Sequence, residues 1–440
     1  MKNFTTIFLV YIWFILIFPW QYFAIPAVRV IEPSILLSFI FLVFIKKGRI
    51  QYDFFGKIYF AFIALSAIYT LGFPVFRTDD IFTLNHRFHL FLYTAEIFLL
   101  YLIIFNIFDT KYYKLENLFR KIFYVHIIIF AVLIYAGLNV QLGSISGNLR
   151  DPNYSAYSFQ NENTESNYYI SNGIPWSFLL QNSILIGYYI KNKKETLLSD
   201  AKTIFLIILP LIISYINMSR SAIIFSSTIS FFSLLIIFKN LFRSQLTGLK
   251  LIFKTTIFLS LFFLSTFIIL EQFKQENLIV RYISLTIGAK GDSSNPRIKL
   301  LEESINYGLE TNLIGGGIGH LSLEKRKLNK KYEYLNTTNP QNTFASIFTE
   351  HGIIGLFLFL TMFIVLIVRV INHKRLLMLD NTELVTSMKF SLFVLLSSFM
   401  FFHFLDRSFS FLGIFIILSA IFNNTLIFNN TKIKKTEKII

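Results

Sequence analysis

Three arginines stand where apolar sequence gives way to polar loops, and their shared chemistry is anion recognition. Arg220 lies in Asn217-Met-Ser-Arg-Ser221, at the tip of a long apolar hairpin. An Arg at the bilayer centre costs roughly 2.5–3.5 kcal/mol on the lenient insertion scale, and less at the boundary where it snorkels. It reads either as an interface anchor or as a guanidinium aimed at a lipid phosphate, which its bidentate fork suits. Arg297 closes Asp292-Ser-Ser-Asn-Pro-Arg297. That stretch predicts a helix start with Asn295 as N-cap and Pro296 at the first helical position. Ile298, Leu301 and Ile305 then share one face, and Gly308 ends the helix. An Arg in a first turn opposes the helix dipole unless an anion shares the site; an ordinary surface position is the alternative. Arg150 and Asn153 lie in Gly147-Asn-Leu-Arg-Asp-Pro-Asn-Tyr154, where turn chemistry competes with ligand binding.

Proton-transfer candidates are fewer. His320 follows the turn Gly315-Gly316-Gly317, and His351 follows Glu350 at the mouth of an apolar segment. Imidazole is poised near neutral pH, although lone histidines are commonly structural. Glu96, His126 and His403 lie inside apolar segments, where they either line a polar path or serve as packing partners. The chain has no cysteine, which excludes disulfides, thiolate metal sites and a Cys nucleophile. No His/Asp/Glu cluster has metal-ligand spacing, so neither a metal nor a cofactor is expected. The glycine run 315–319 lacks GxGxxG spacing and a preceding strand, so it is not a nucleotide fingerprint.

The elements around these residues belong in lipid. A mean hydropathy of +0.59, 54% hydrophobic residues and 53 Phe place the chain in the membrane class. The net charge of +16 is spread over short basic clusters between apolar segments, which argues for positive-inside loops and against nucleic acid. The expected fold is an all-α polytopic membrane protein with about 12 transmembrane helices and one large, partly helical extracytoplasmic loop. Spans are predicted near 6–25, 30–45, 57–76, 88–108, 119–137, 173–190, 202–218, 220–238, 251–270, 346–369, 389–405 and 408–428. Residues 1–137 hold the first five, 138–172 an outer loop and 173–270 the next four. The large loop is 271–345, the last three spans occupy 346–428, and 429–440 is a basic cytoplasmic tail. Met1–Pro26 resembles a signal peptide only superficially and reads as an uncleaved first span.

Basic clusters follow the even-numbered spans, for example Lys46, Lys47 and Arg49, or Arg369, Lys374 and Arg375. That asymmetry puts both termini in the cytoplasm and the 271–345 loop outside. Outside the cell membrane there is no ATP and no nucleotide sugar. An enzyme acting there must use a substrate activated before it crossed, such as a lipid pyrophosphate.

In this order and topology the chain resembles the O-antigen polymerase and O-antigen ligase superfamily of bacterial envelope glycosyltransferases. The likeness rests on Gly147 to Ala156, Met218-Ser-Arg-Ser-Ala222, Asn295-Pro-Arg297 through Gly319, and Pro340-Gln-Asn-Thr343 through Gly355. It is strongest over residues 145–360. One departure is specific: where ligases carry a His, this chain has Gln341, which takes no proton at neutral pH.

The resemblance implies glycan transfer from undecaprenyl pyrophosphate in the bacterial inner membrane, building O-antigen or capsular polysaccharide. It implies that Arg220 and Arg297 stabilise the departing pyrophosphate; the other catalytic candidates are Gln341 at the ligase His position and Glu350, His351 or His320 as its substitute. Substrate binding falls to Arg150, Asn153, Asn342, Gly316 and Gly317. Membrane lipid, a flippase and a chain-length regulator are the implied partners. A ligase, a lipid-linked oligosaccharide flippase and an idle envelope scaffold are the rival readings.

Overall fold

The computed structural model describes residues 2–17, 27–72, 81–108, 115–145, 173–191, 197–216, 225–234, 294–311, 313–317, 342–372, 382–399 and 409–437. These form twelve helices and no strand: α1 Lys2–Ile17, α2 Ala27–Ile45, α3 Phe54–Gly72, α4 Ile81–Ile107, α5 Leu115–Ile145, α6 Gly173–Lys191, α7 Leu197–Ile216, α8 Phe225–Leu234, α9 Ser294–Glu310, α10 Thr343–Ile371, α11 Thr382–Phe399 and α12 Phe409–Glu437. Among the described residues, three helices are long and apolar enough to cross a membrane, within α5, α10 and α11, and seven more are shorter apolar helices. Helices overlap every expected span except 251–270, which lies outside the described residues. Several boundaries differ from expectation: α4 and α11 each begin seven residues early, at Ile81 and Thr382. Helix α5 runs on to Ile145, into the expected outer loop, and α12 continues through most of the basic tail.

The chain divides into two compact units. One comprises Met1–Ile31, Lys111–Leu278 and Leu376–Val394; the other Glu32–Thr110, Ile279–Arg375 and Leu395–Ile440.

In the first unit α5, α6 and α7 pack on one another. Gln181, Asn182 and Ser183 are fully buried in α6. Asn182 donates its amide N–H to the Leu206 carbonyl at 2.5 Å, which turns its Oδ1 toward His126 Nε2 at 3.0 Å. That oxygen can only accept, so Nε2 carries the proton. The imidazole stacks on Phe178 with ring centres 4.2 Å apart. His126 is thus a packing partner that ties three helices together. Lys202 lies over the rings of Phe123, Tyr124 and Tyr189 at 5.0, 5.7 and 5.5 Å, a cation held against aromatic faces. Gly187 permits a close helix crossing: a Cβ there would lie 2.6 Å from Ser387 Cα, and Ser387 Oγ donates to the Ile184 carbonyl at 2.8 Å. Small residues at crossings are how helices approach in lipid.

In the second unit α3 runs antiparallel to α10. Asp53, just before α3, pairs with Arg369 near the end of α10, Phe62 meets Phe359 at 6.0 Å, and Ser66 meets His351. Helix α4 packs on α3 and α12 on α4. The four helices enclose an apolar cavity lined by Phe55, Tyr59, Phe62, Phe359, Phe363 and Phe415 among others.

At the Asp53 end the polar groups close into a ring. Arg369 Nη1 donates to Asp53 Oδ2 and to Asn423 Oδ1 (2.6 Å). Asn423 Nδ2 donates to the Tyr101 hydroxyl at 3.1 Å, which donates to Asp53 Oδ1 at 2.6 Å, and the Gly56 amide adds a second donor there at 2.9 Å. Asp53 is buried, and its two oxygens accept three hydrogen bonds between them. A buried ion pair satisfied in this way holds its helices in one register, whereas removing either partner leaves an uncompensated charge.

Candidate functional site

Helix α10 is broken, and the break organises the site. Asn342 caps its start in extended conformation, its Oδ1 accepting the Ala345 N–H at 3.0 Å. The helix runs to His351, then Gly352 adopts φ 65° and ψ −164°. That region is essentially open to glycine alone. The break strands helical carbonyls and an N–H that must be satisfied elsewhere.

The glycine turn supplies the partners. Gly316 N–H donates to the Thr349 carbonyl at 2.7 Å and Gly317 N–H to the Glu350 carbonyl at 2.9 Å, while Ile353 N–H donates to the Leu313 carbonyl at 2.9 Å. The turn therefore straps the break. Gly315 and Gly317 both have φ +93°, and a Cβ on Gly315 would lie 2.5 Å from the Gly352 nitrogen. Gly315 is required because two backbones meet there with no room for a side chain, and Gly317 because of its left-handed backbone. Leu313 itself is left-handed at φ 64°, which costs a non-glycine residue about 1–2 kcal/mol.

Helix α3 closes the other side. The Tyr69 hydroxyl donates to the Ile314 carbonyl, joining α3 to the strap. Ser66 Oγ donates to the Phe62 carbonyl at 2.9 Å and lies 3.1 Å from His351 Nε2. Since the serine has one proton and gives it to Phe62, His351 donates through Nε2. The imidazole is 1% exposed, stacked on Phe62 at 5.2 Å with Tyr69 edge-on at 5.8 Å. Glu350 is equally buried. Gly355 packs against the His351 side chain, where a Cβ has no space.

Helix α9 docks on the first leg of α10. It starts at Ser294, one residue before the expected cap, with Asn295, Pro296 and Arg297 in its first turn. The face shared by Leu301 and Ile305 is not the docked one. Leu301 and Ile305 are exposed, while Leu300, Ser304, Tyr307 and Gly308 are buried. Gly308 does not end the helix, which continues to Glu310. It admits the ring of Phe348 instead, and a Cβ would collide with that ring, 2.7 Å from its Cδ1. The docked arc combines Leu300 and Tyr307 with the small Ser304 and Gly308, and Leu301 and Ile305 fall outside it.

The structure thus brings Asn342, Glu350, His351, Gly316 and Gly317 onto one assembly, the capped and broken start of α10 with its strap. The two glycine amides are committed to the helix, so these residues shape the site by close backbone approach. Arg297 lies eleven residues before Gly308, about 16 Å along α9 at 1.5 Å per residue. Arg220, Gln341, His320, Arg150, Asn153 and His403 lie outside the described residues.

Sequence reasoning missed Ser66 and Tyr69, the α3 residues that hold His351 and the strap. The signal available was a run of small and hydroxylated residues, Ser66 to Thr70, within an otherwise apolar span.

Residues 205–360 match the family model described as O-Antigen ligase, a stretch that takes in Arg220, α9, the glycine strap and the break in α10. No curated protein matches the chain. Over the segment that carries its motifs, this helical integral membrane protein is similar to the O-antigen ligase family, which supports its place in the O-antigen polymerase and ligase superfamily.

Proposed function

We propose that the protein polymerises lipid-linked oligosaccharide repeat units at the outer face of the cell membrane, the product being O-antigen or capsular polysaccharide. The observation that carries this reading is the strapped break in α10, which lies inside the family match together with Arg220 and Arg297. The donor is the growing glycan on undecaprenyl pyrophosphate and the acceptor a hydroxyl of a newly flipped repeat unit. The acceptor oxygen attacks the anomeric carbon, the bond from that carbon to the pyrophosphate oxygen breaks, and the carrier departs as undecaprenyl pyrophosphate. A proton leaves the acceptor hydroxyl in the same step.

Pyrophosphate is a good leaving group, so the chain's own cations suffice. Arg220 and Arg297 stabilise the charge that develops on it. His351 is sealed between Ser66, Phe62 and Tyr69, which favours a positioning role, and His320 is left as the candidate base on the loop. The Phe-rich spans offer apolar surface to a prenyl chain, and Phe62 of the His351 stack also lines the small apolar cavity beside it.

Arg220→Ala and Arg297→Ala are each expected to lower polymer formation by about 100-fold or more, the effect of removing one preorganised cationic donor. Glycan length on a gel is the readout, with protein level checked in the same membranes. Full polymer length in both variants would sink this assignment.

A second reading is a ligase that moves finished polymer to an acceptor, favoured by the matching family's description. Gln341 speaks against it, because that position would have to orient or deprotonate the acceptor. A twelve-span flippase is the rival from a different class.

A further inference from the structure

We infer that α9 is an interfacial helix, with Leu301, Ile305 and Leu309 immersed in the bilayer surface. Around the axis of α9 the residues fall into three arcs. The first, Leu300, Ser304, Tyr307 and Gly308, is buried. Beside it, Leu301, Ile305 and Leu309 recur at intervals of four and so share one face, and they are 37%, 42% and 53% exposed. The remaining arc is polar and exposed, with Lys299, Glu302, Asn306 and Glu310. A helix in water keeps its large aliphatic residues in the docked arc. Here only Leu300 is docked, while Leu301, Ile305 and Leu309 lie to one side, where a third medium would meet them.

The level of α9 identifies that medium. The second leg of α10, residues 353–371, holds 19 residues. At 1.5 Å per residue it is about 28 Å long, close to the thickness of a bilayer's hydrocarbon core. The break at Gly352 therefore falls at a membrane boundary. Helix α9 docks just beyond it through Gly308 against Phe348, and its chain continues into the strap that closes the break. Exposed apolar residues continue beyond α9 into the strap and the second leg: Ile314 is 55% exposed, and Ile354 and Phe357, within a candidate membrane span, are 59% and 68% exposed. On this reading one apolar surface runs from the span onto α9.

The attachment is apolar rather than electrostatic. Exposed Glu302 and Glu310 outnumber Lys299 on the polar arc, so that arc does not recruit anionic lipid. Its function is to fix height. An α9 lying at the boundary holds its first turn, and with it Arg297, at the depth of lipid phosphates. The inference stands on the geometry of α9 and α10 whether the protein polymerises, ligates or flips.

The absence of native cysteine makes the test direct. Single-cysteine variants Ile305→Cys, Leu309→Cys and Asn306→Cys of the full chain would carry a bimane label in phosphatidylcholine vesicles. Quenching by a lipid with a nitroxide near the headgroup is compared with quenching by aqueous iodide. The lipid-to-iodide quenching ratio is expected to be at least about threefold higher at 305 and 309 than at 306, with no change when anionic lipid is added. Equal ratios at the three positions would overturn the inference. So would labels at 305 and 309 shielded from both quenchers, which would mean that a protein partner or a second copy covers the arc. Lipid quenching seen only with anionic lipid would overturn the apolar attachment.

Discussion

Gly352→Ala is expected to abolish polymer formation and to lower stability by about 2–6 kcal/mol. Two costs add. The backbone at φ 65° and ψ −164° lies in a region that only glycine populates readily, worth about 1–3 kcal/mol. The new methyl also has no room, because Cβ would press on the carbonyls of Leu313 and Ile314 that the strap places there. Overpacking of this kind costs typically 1–3 kcal/mol. Gly48→Ala is the matched control. Gly48 also has positive φ (+74°), but nothing lies within 4 Å of its Cβ position. It is expected to lose about 1 kcal/mol and keep full polymer length. Thermal unfolding in detergent and glycan length are read for both variants. If Gly352→Ala behaved like Gly48→Ala, the strapped break would not be the frame of the site.

Asp53→Ala is expected to destabilise the protein by about 3–5 kcal/mol, since it leaves Arg369, the Tyr101 hydroxyl and the Gly56 amide without their common acceptor. Arg369→Ala falls at the lower end, because its side chain is 23% exposed. The informative variant is the double replacement Asp53→Leu with Arg369→Met. Apolar substitution of both partners is often neutral where single removal is not. Recovery of most of the lost stability is therefore expected in the double variant. If Asp53→Ala unfolded with wild-type protein, or the double variant fared worse than the single ones, the ring would not hold these helices. The ring lies at the far ends of α3 and α10 from His351 and Ser66, so it also fixes the register in which the site is assembled.

What could be read from sequence follows the range of the interactions. Apolar runs announce helices directly, because an unsatisfied backbone in lipid is prohibitively costly, and the expected segments overlap helices wherever they are described. The glycine turn was legible as a turn from composition alone. Its partner was not, since Gly316 and Thr349 meet across 33 positions of chain. The break at Gly352 was visible only as part of a resemblance, because a glycine in an apolar run is ordinary in membrane helices. Arg369 was legible as a positive-inside residue, but its pairing with Asp53 spans 316 positions and leaves no local trace. On α9 periodicity grouped Ile298, Leu301 and Ile305 on one face but carried no information on what that face meets. The glycine at 308 read as a helix end from local chemistry, whereas it serves a contact with Phe348, 40 positions away.

The most direct test of glycan polymerisation is a clean deletion of this chain, with surface and carrier-linked glycans resolved by size. Collapse of the ladder to single repeat units, restored by the wild-type chain, is the predicted result. Long chains stranded on the carrier lipid would instead identify a ligase, and an unchanged ladder would contradict glycan transfer altogether.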